Sequence, residues 1–147
     1  MNNLSELYQE VIMDHNHNPR NFREMESCSH RADGNNPLCG DRFTIFLKVV
    51  NNVIEDISFT GSGCAISKAS ASIMTSIVKN KKVDEVLDLF EIAHEIVVSG
   101  ESDGNAPEKL KVLAGVHKYP IRVKCASLPW HTLKTALNES GNVATTE

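Results

Sequence analysis

Residues 43–60 read FTIFLKVVNNVIEDISFT. Phe43, Ile45, Leu47 and Val49 alternate with Thr44, Phe46, Lys48 and Val50, the period of two that sets one face of a strand against a core. After Asn51-Asn52, the run Val53 to Thr60 places Ile57 and Phe59 on one face. Asparagine tolerates positive φ better than most residues, so two of them between β-rich runs suit the tight two-residue turn of a hairpin. The stretch therefore predicts two antiparallel strands. A third strand is expected within 26–36, next to the turn chemistry of Asp33-Gly34-Asn35-Asn36-Pro37.

Helical periodicity lies on both sides of this hairpin. Leu4, Leu7, Tyr8, Val11 and Ile12 recur at i, i+3, i+4, i+7 and i+8, and Asn18-Pro19 ends that segment because the residue before proline is pushed out of the helical region. From Cys64 onward, Ile66, Ala69, Ile73 and Ile77 share a face. Val83, Val86, Leu87, Phe90, His94 and Val97 share another. Asn105-Ala106-Pro107 starts a further helix, with Leu110 and Leu113 facing inward. Pro120 is expected to open a short helix that carries Cys125, and Ser127-Leu128-Pro129 to start a separate last one with Trp130, Leu133 and Leu137 on its apolar face. The order predicts an α+β fold, a small antiparallel three-stranded sheet with helices packed on one face. One domain over 1–139 and a frayed tail over 140–147 are expected.

The 147 residues are 41% hydrophobic and 23% charged, ordinary for a globular protein. A formal net charge of −4, with no basic run, argues against nucleic-acid binding. No apolar stretch approaches the roughly 20 residues that span a bilayer, and Met1 to Tyr8 lacks the basic and apolar regions of a signal peptide. The expectation is a cytoplasmic protein without nucleic-acid or membrane partners. Its four cysteines, Cys28, Cys39, Cys64 and Cys125, are too few for a disulfide scaffold in a reducing compartment.

Three of these cysteines fall where elements meet. Cys39 lies in Pro37-Leu38-Cys39-Gly40-Asp41, just before the first hairpin strand. Cys64 lies in Gly61-Ser62-Gly63-Cys64-Ala65, between the second strand and a helix. Cys125 lies in Arg122-Val123-Lys124-Cys125-Ala126. Glycine lets the backbone turn sharply beside the first two. A helix N-terminus favours negative charge on Cys64, and Arg122 and Lys124 bring positive charge to Cys125. Asp41 is close enough to Cys39 for both to reach one ion. Three thiolates and a carboxylate fill a tetrahedral zinc site, and iron or an iron–sulfur cluster also suits soft thiolates. On spacing alone two readings stand, because buried free cysteine is commonly inert filler. There is no CxxC, and 24 residues separate Cys39 from Cys64 and 60 separate Cys64 from Cys125. Cys28 has no marked setting and keeps the filler reading. No histidine is placed to pair with a cysteine for nucleophilic hydrolysis. His15 and His94 read as core-edge residues, and His17, His30, His117 and His131 as loop or surface positions. The small residues after Cys64 read as a tightly packed helix.

Asn36-Pro37-Leu38-Cys39-Gly40-Asp41, Gly61-Ser62-Gly63-Cys64-Ala65-Ile66-Ser67 and Arg122-Val123-Lys124-Cys125-Ala126-Ser127-Leu128 together resemble the U-type iron–sulfur assembly proteins. This is the family of IscU, SufU and the N-terminal domain of NifU. Leu7-Tyr8 through Asp14-His15 and Asn18-Pro19-Arg20-Asn21 resemble the family's first helix and its exit, so the likeness covers about residues 4–138. IscU-type members carry a histidine before the third cysteine, where this chain has Lys124. They also carry a Leu-Pro-Pro-Val-Lys motif where it reads Tyr119-Pro120-Ile121-Arg122-Val123-Lys124. With the longer interval before Cys125, these departures make the chain most similar to the SufU branch.

The resemblance implies a metal site of Cys39, Asp41, Cys64 and Cys125. It implies zinc-dependent sulfur transfer, with Cys39 accepting persulfide sulfur from a SufS-type, PLP-dependent cysteine desulfurase and downstream iron–sulfur assembly proteins receiving it. Asp41 would keep the zinc bound while Cys39 is freed, and Arg122 would guide docking or stabilise the thiolate. The alternative is a scaffold that binds iron and a nascent, transient iron–sulfur cluster through the same cysteines. A purely structural zinc protein is a third reading.

Overall fold

In the computed structural model, which describes residues 3–102, 104–138 and 143–145, the chain opens with α1 (Asn3–His17), β1 (His30–Asn36), β2 (Asp41–Val50) and β3 (Val53–Ser62). It continues with α2 (Ala65–Val78), α3 (Val83–Ser99), the single turn α4 (Glu108–Lys111), a 3₁₀ turn (Ala114–Lys118), α5 (Pro120–Asn138) and β4 (Val143–Thr145). The hairpin forms as its alternation predicts. Asn51 and Asn52 adopt φ of 52° and 65°, the left-handed values that match a two-residue turn to the strand twist. Val50 pairs with Val53 and Ile45 with Phe59, with one register shift between Lys48 and Val49.

The third strand is β1, antiparallel to β2 with Ala32 opposite Ile45 and Asn36 opposite Asp41. Its inward positions are only Ala32, Gly34 and Asn36. They are small because α5 presses on them: a Cβ on Gly34 would overlap the Thr132 side chain. The sheet order is β3-β2-β1-β4, with β4 parallel to β1. A frayed tail was the expectation for 140–147, and Val143–Thr145 instead add a short strand to the open edge of β1. The remainder of that tail lies outside the described residues.

Phe43, Ile45, Leu47, Ile57 and Phe59 are fully buried and meet Ile73 and Met74 of α2, Phe90 of α3, Leu110 of α4 and Leu128 of α5 in one core. Phe46 points to the other face, where the Arg31 guanidinium covers its ring at 5.2 Å. The helices therefore sit on one face of the sheet. No helix among the described residues is long and apolar enough to cross a membrane.

Two helical expectations need correction. Residues 120–138 form one helix with Pro129 inside it, where two helices were expected. Proline removes one backbone hydrogen bond, but Cys125, Ala126, Leu128, Trp130 and Leu133 are buried on both sides of it, and that packing carries the helix through. The buried face of α3 is Val86, Leu89, Phe90, Ala93, Ile96 and Val97, with His94 exposed. Leu89, Ile92 and Ile96 add apolar positions beside the expected stripe, so its period admits a buried face rotated away from His94.

Candidate metal centre

The turn between β1 and β2 is built around Asn36. Its carbonyl accepts the N–H of Cys39 at 3.2 Å and of Gly40 at 2.9 Å. Gly40, at φ 72°, takes the left-handed conformation that closes this four-residue loop, which few side chains tolerate. Cys39 is thereby presented on a tight turn, half-buried, and Asp41 begins β2 fully buried.

Cys125 arrives from the other side, on α5. That helix is anchored beside it by Ser70 Oγ of α2, which donates to the Ala126 carbonyl at 2.6 Å. The Cys125 thiol lies 3.3 Å from Cys39 Sγ. The ligand atoms of Cys39, Asp41 and Cys125 all fall within 4.8 Å of one another.

Cys64 is adjacent but turned differently. It caps α2, its sulfur accepting the Ser67 N–H at 3.5 Å. Its own N–H donates to Asp41 Oδ1 at 2.9 Å. Gly63 leaves room for this, since a Cβ there would stand 2.6 Å from both Asp41 Oδ1 and Ser67 Oγ. Of the four residues singled out in the sequence, three sulfur and oxygen donors converge, and the fourth, Cys64, is tied to Asp41 through its backbone and interacts with Cys125 through its sulfur.

Arg122 faces the sulfurs of Cys64 and Cys125, and these interactions, that with Cys64 first, favour its protonated guanidinium. Burial, then the hydrogen bonds with Cys39 and Cys64, push the Cys125 thiol well above the ordinary cysteine range. Lys124 is half-buried and makes no described hydrogen bond or ion pair to the centre. Cys28 is half-buried and free, outside the cluster.

The donor set fits a soft or borderline dication. Two thiols and a buried carboxylate offer one ligand atom each at one point, and zinc accepts both sulfur and oxygen. Sequence reasoning missed Asn36, whose Nδ2 lies 3.4 Å from Asp41 Oδ2 and 3.7 Å from Cys125 Sγ. An asparagine before a proline already has a local explanation as a turn residue, which masks a role at the centre.

The NifU-like N-terminal domain matches residues 7–126. The chain belongs to this family, the U-type proteins. Zinc-dependent sulfurtransferase SufU of Bacillus subtilis is 41% identical over 143 residues, spanning 95% of this chain and 97% of that protein. The iron–sulfur cluster assembly scaffold protein IscU of Streptococcus pyogenes is 38% identical over 143 residues, spanning 97% of this chain and 89% of that protein. A crystal structure from Fervidobacterium islandicum, named for iron–sulfur cluster assembly in the SUF system, superposes with a TM-score of 0.84 at 34% identity. It covers 90% of this U-type chain and 97% of that one.

Around the centre, a cleft of about 900 Å³ is lined by Tyr8 and Ile12 of α1, Ile66 of α2, Val116, Ile121 and the site residues Cys39 and Arg122. Leu38, Tyr119 and Ile121 stand 58–66% exposed. Three large apolar side chains exposed near the Cys39 sulfur make a surface of the kind that protein partners cover.

Proposed function

We propose that this chain is a zinc-dependent sulfurtransferase of iron–sulfur cluster assembly. It accepts persulfide sulfur from a SufS-type cysteine desulfurase on Cys39 and passes it to downstream assembly proteins. The observation that carries the reading is the asymmetry between two touching sulfurs. Cys39 is half-exposed on a turn at the edge of an apolar cleft, while Cys125, 3.3 Å away, is fully buried on a helix. Only the first can meet a sulfur donor on another protein. The 41% identity to a protein named as a zinc-dependent sulfurtransferase points the same way.

Cys39, Asp41, Cys64 and Cys125 are the residues that would hold zinc. A bound zinc supplies charge that keeps thiols ionised at neutral pH and shields them from oxidation. The transfer itself is an exchange at sulfur. The Cys39 thiolate attacks the outer sulfur of the desulfurase persulfide, and the S–S bond of that persulfide breaks. The desulfurase thiolate leaves, and Cys39 carries the new S–S bond with no net oxidation. Asp41 and Cys125 stay buried through this step. Arg122, exposed beside the sulfurs, offsets the charge of the incoming anion. The apolar rim of Leu38, Tyr119 and Ile121 receives the desulfurase.

Zinc-loaded protein should raise desulfurase turnover and gain one sulfur on Cys39 by mass spectrometry, and Cys39→Ala should do neither. A zinc-loaded wild type that leaves turnover unchanged sinks the reading. The relatives named as scaffolds favour a second reading, in which the same cysteines hold iron and a nascent cluster as cargo. Anaerobic reconstitution followed by Mössbauer spectroscopy separates the two: a stable, transferable cluster supports the scaffold.

A further inference from the structure

Asn36 ends β1, is fully buried, and contacts Cys39, Asp41 and Cys125. Its carbonyl closes the turn that carries Cys39, a task any residue's backbone could perform. Its side chain does something the turn does not require. Nδ2 points at Asp41 Oδ2 at 3.4 Å and at Cys125 Sγ at 3.7 Å. An amide nitrogen carries two hydrogens, enough to serve both ligand atoms. The flipped amide would set oxygen against the Asp41 carboxylate, acceptor against acceptor, so the nitrogen is the end that faces the centre. The other end, Oδ1, is buried and has no hydrogen-bond partner among the described residues. A buried unpaired acceptor is rare and unfavourable. The backbone turn gives no reason to bear it, and the ligands do.

We infer that Asn36 is a positioning residue of the metal centre, its amide holding Cys125 and Asp41 as the fixed ligands and leaving Cys39 as the one that exchanges. For the fate of Cys39 this rests on the sulfurtransferase reading. The two sulfurs differ in what supports them. Cys39 Sγ accepts a hydrogen bond from the Cys125 thiol. Cys125 loses that hydrogen when it becomes a ligand, because metal-bound cysteine is a thiolate. Among the described hydrogen bonds, Cys39 Sγ then keeps no donor, while Cys125 keeps the Asn36 amide. Donors outside the ligand shell fix a ligand's direction and tune its electron donation.

Asn36→Leu tests this, since leucine has nearly the same shape and no donor. In the cobalt-loaded variant the thiolate-to-metal charge-transfer band should move to lower energy, because the sulfur lone pair is no longer stabilised by an N–H. Metal affinity, by chelator competition, should fall about 10- to 100-fold. In the zinc-loaded variant, alkylation of Cys125, mapped by peptide mass spectrometry, should be faster than in zinc-loaded wild type, although its burial still leaves Cys39 the first of the two to react. An unchanged band and affinity in a variant with native circular dichroism overturns the proposal. Wild-type protein gives a reading that needs no variant: the Asn36 side-chain amide proton should shift downfield in NMR on zinc loading, and one that does not respond overturns the proposal equally. None of these measurements involves the desulfurase, so loss of the sulfurtransferase reading and loss of this one are separately visible.

Discussion

The Asp41 carboxylate accepts the backbone N–H of Cys64 at 2.9 Å. That bond joins the first residue of β2 to the cap of α2, and so ties the second cysteine to the pocket where the other two meet. Asp41→Asn keeps an oxygen for the N–H and loses the charge, whereas Asp41→Ala loses both. Asp41→Ala should lower the stability of the metal-free protein by about 1–3 kcal/mol, the usual effect of leaving a buried donor unpaired. Asp41→Asn should cost less. Both should weaken metal binding. Urea denaturation of metal-free protein and chelator competition check the two halves, and equal stability losses in the two variants would contradict the assignment.

Gly63 supports the same bond by what it lacks. A Cβ there would stand 2.6 Å from Asp41 Oδ1 and from Ser67 Oγ, closer than such atoms approach. Gly63→Ala should push the carboxylate out of line and reduce metal affinity at least about tenfold, as loss of supporting contacts at metal sites does. Its far-UV circular dichroism should stay native, because the clash is with side-chain tips. Normal affinity in this variant would show that the carboxylate position is unimportant.

The hairpin was legible because its information is local: alternating apolar residues and two asparagines at the turn. β1 was barely legible because Ala32, Gly34 and Asn36 are set by the approach of α5, a contact some hundred residues away in the chain. Pro129 reads locally as a helix boundary, yet burial on both sides of it decides for one helix. At the centre, glycine-flanked junctions and the family motifs exposed Cys39, Asp41, Cys64 and Cys125. That the Cys64 sulfur caps α2, and that Asn36 turns its amide inward, depend on side-chain directions that no spacing encodes.

Arg122 faces Cys64 and Cys125 from an exposed position. Arg122→Ala should slow sulfur acceptance several-fold and leave the fold intact. Arg122→Lys should restore only part of the rate, because a point charge cannot address two sulfurs as a planar guanidinium can. Desulfurase stimulation measured across a salt series is the check. The wild-type rate should fall with added salt more steeply than the Arg122→Ala rate, since screening removes a contribution that the variant lacks. Matching salt slopes would make Arg122 a bystander.

His15 gives the fold a pH dependence separate from the metal. It is buried on α1, and its Nδ1 lies 2.7 Å from Ser72 Oγ of α2, which also accepts the Arg20 N–H at 2.8 Å. Burial, then the charge of Arg20, hold its pKa below the ordinary 6.5, with Asp14 opposing and Lys109 assisting. Across the window between that depressed value and 6.5, the unfolded chain binds more protons than the folded one. Stability therefore rises with pH there and is lost on acidification, levelling off below the folded value. Burial, then His94 and Lys134, move His131 the same way. Asp14, held low by its hydrogen bond with Arg20, titrates below this window. Urea melts of metal-free protein at about pH 7.5 and about pH 5.5 should show lower stability at the acid end. The difference should shrink in His15→Gln and shrink further when His131→Gln is added. A wild type equally stable at both pH values would show that neither imidazole is held neutral by the fold.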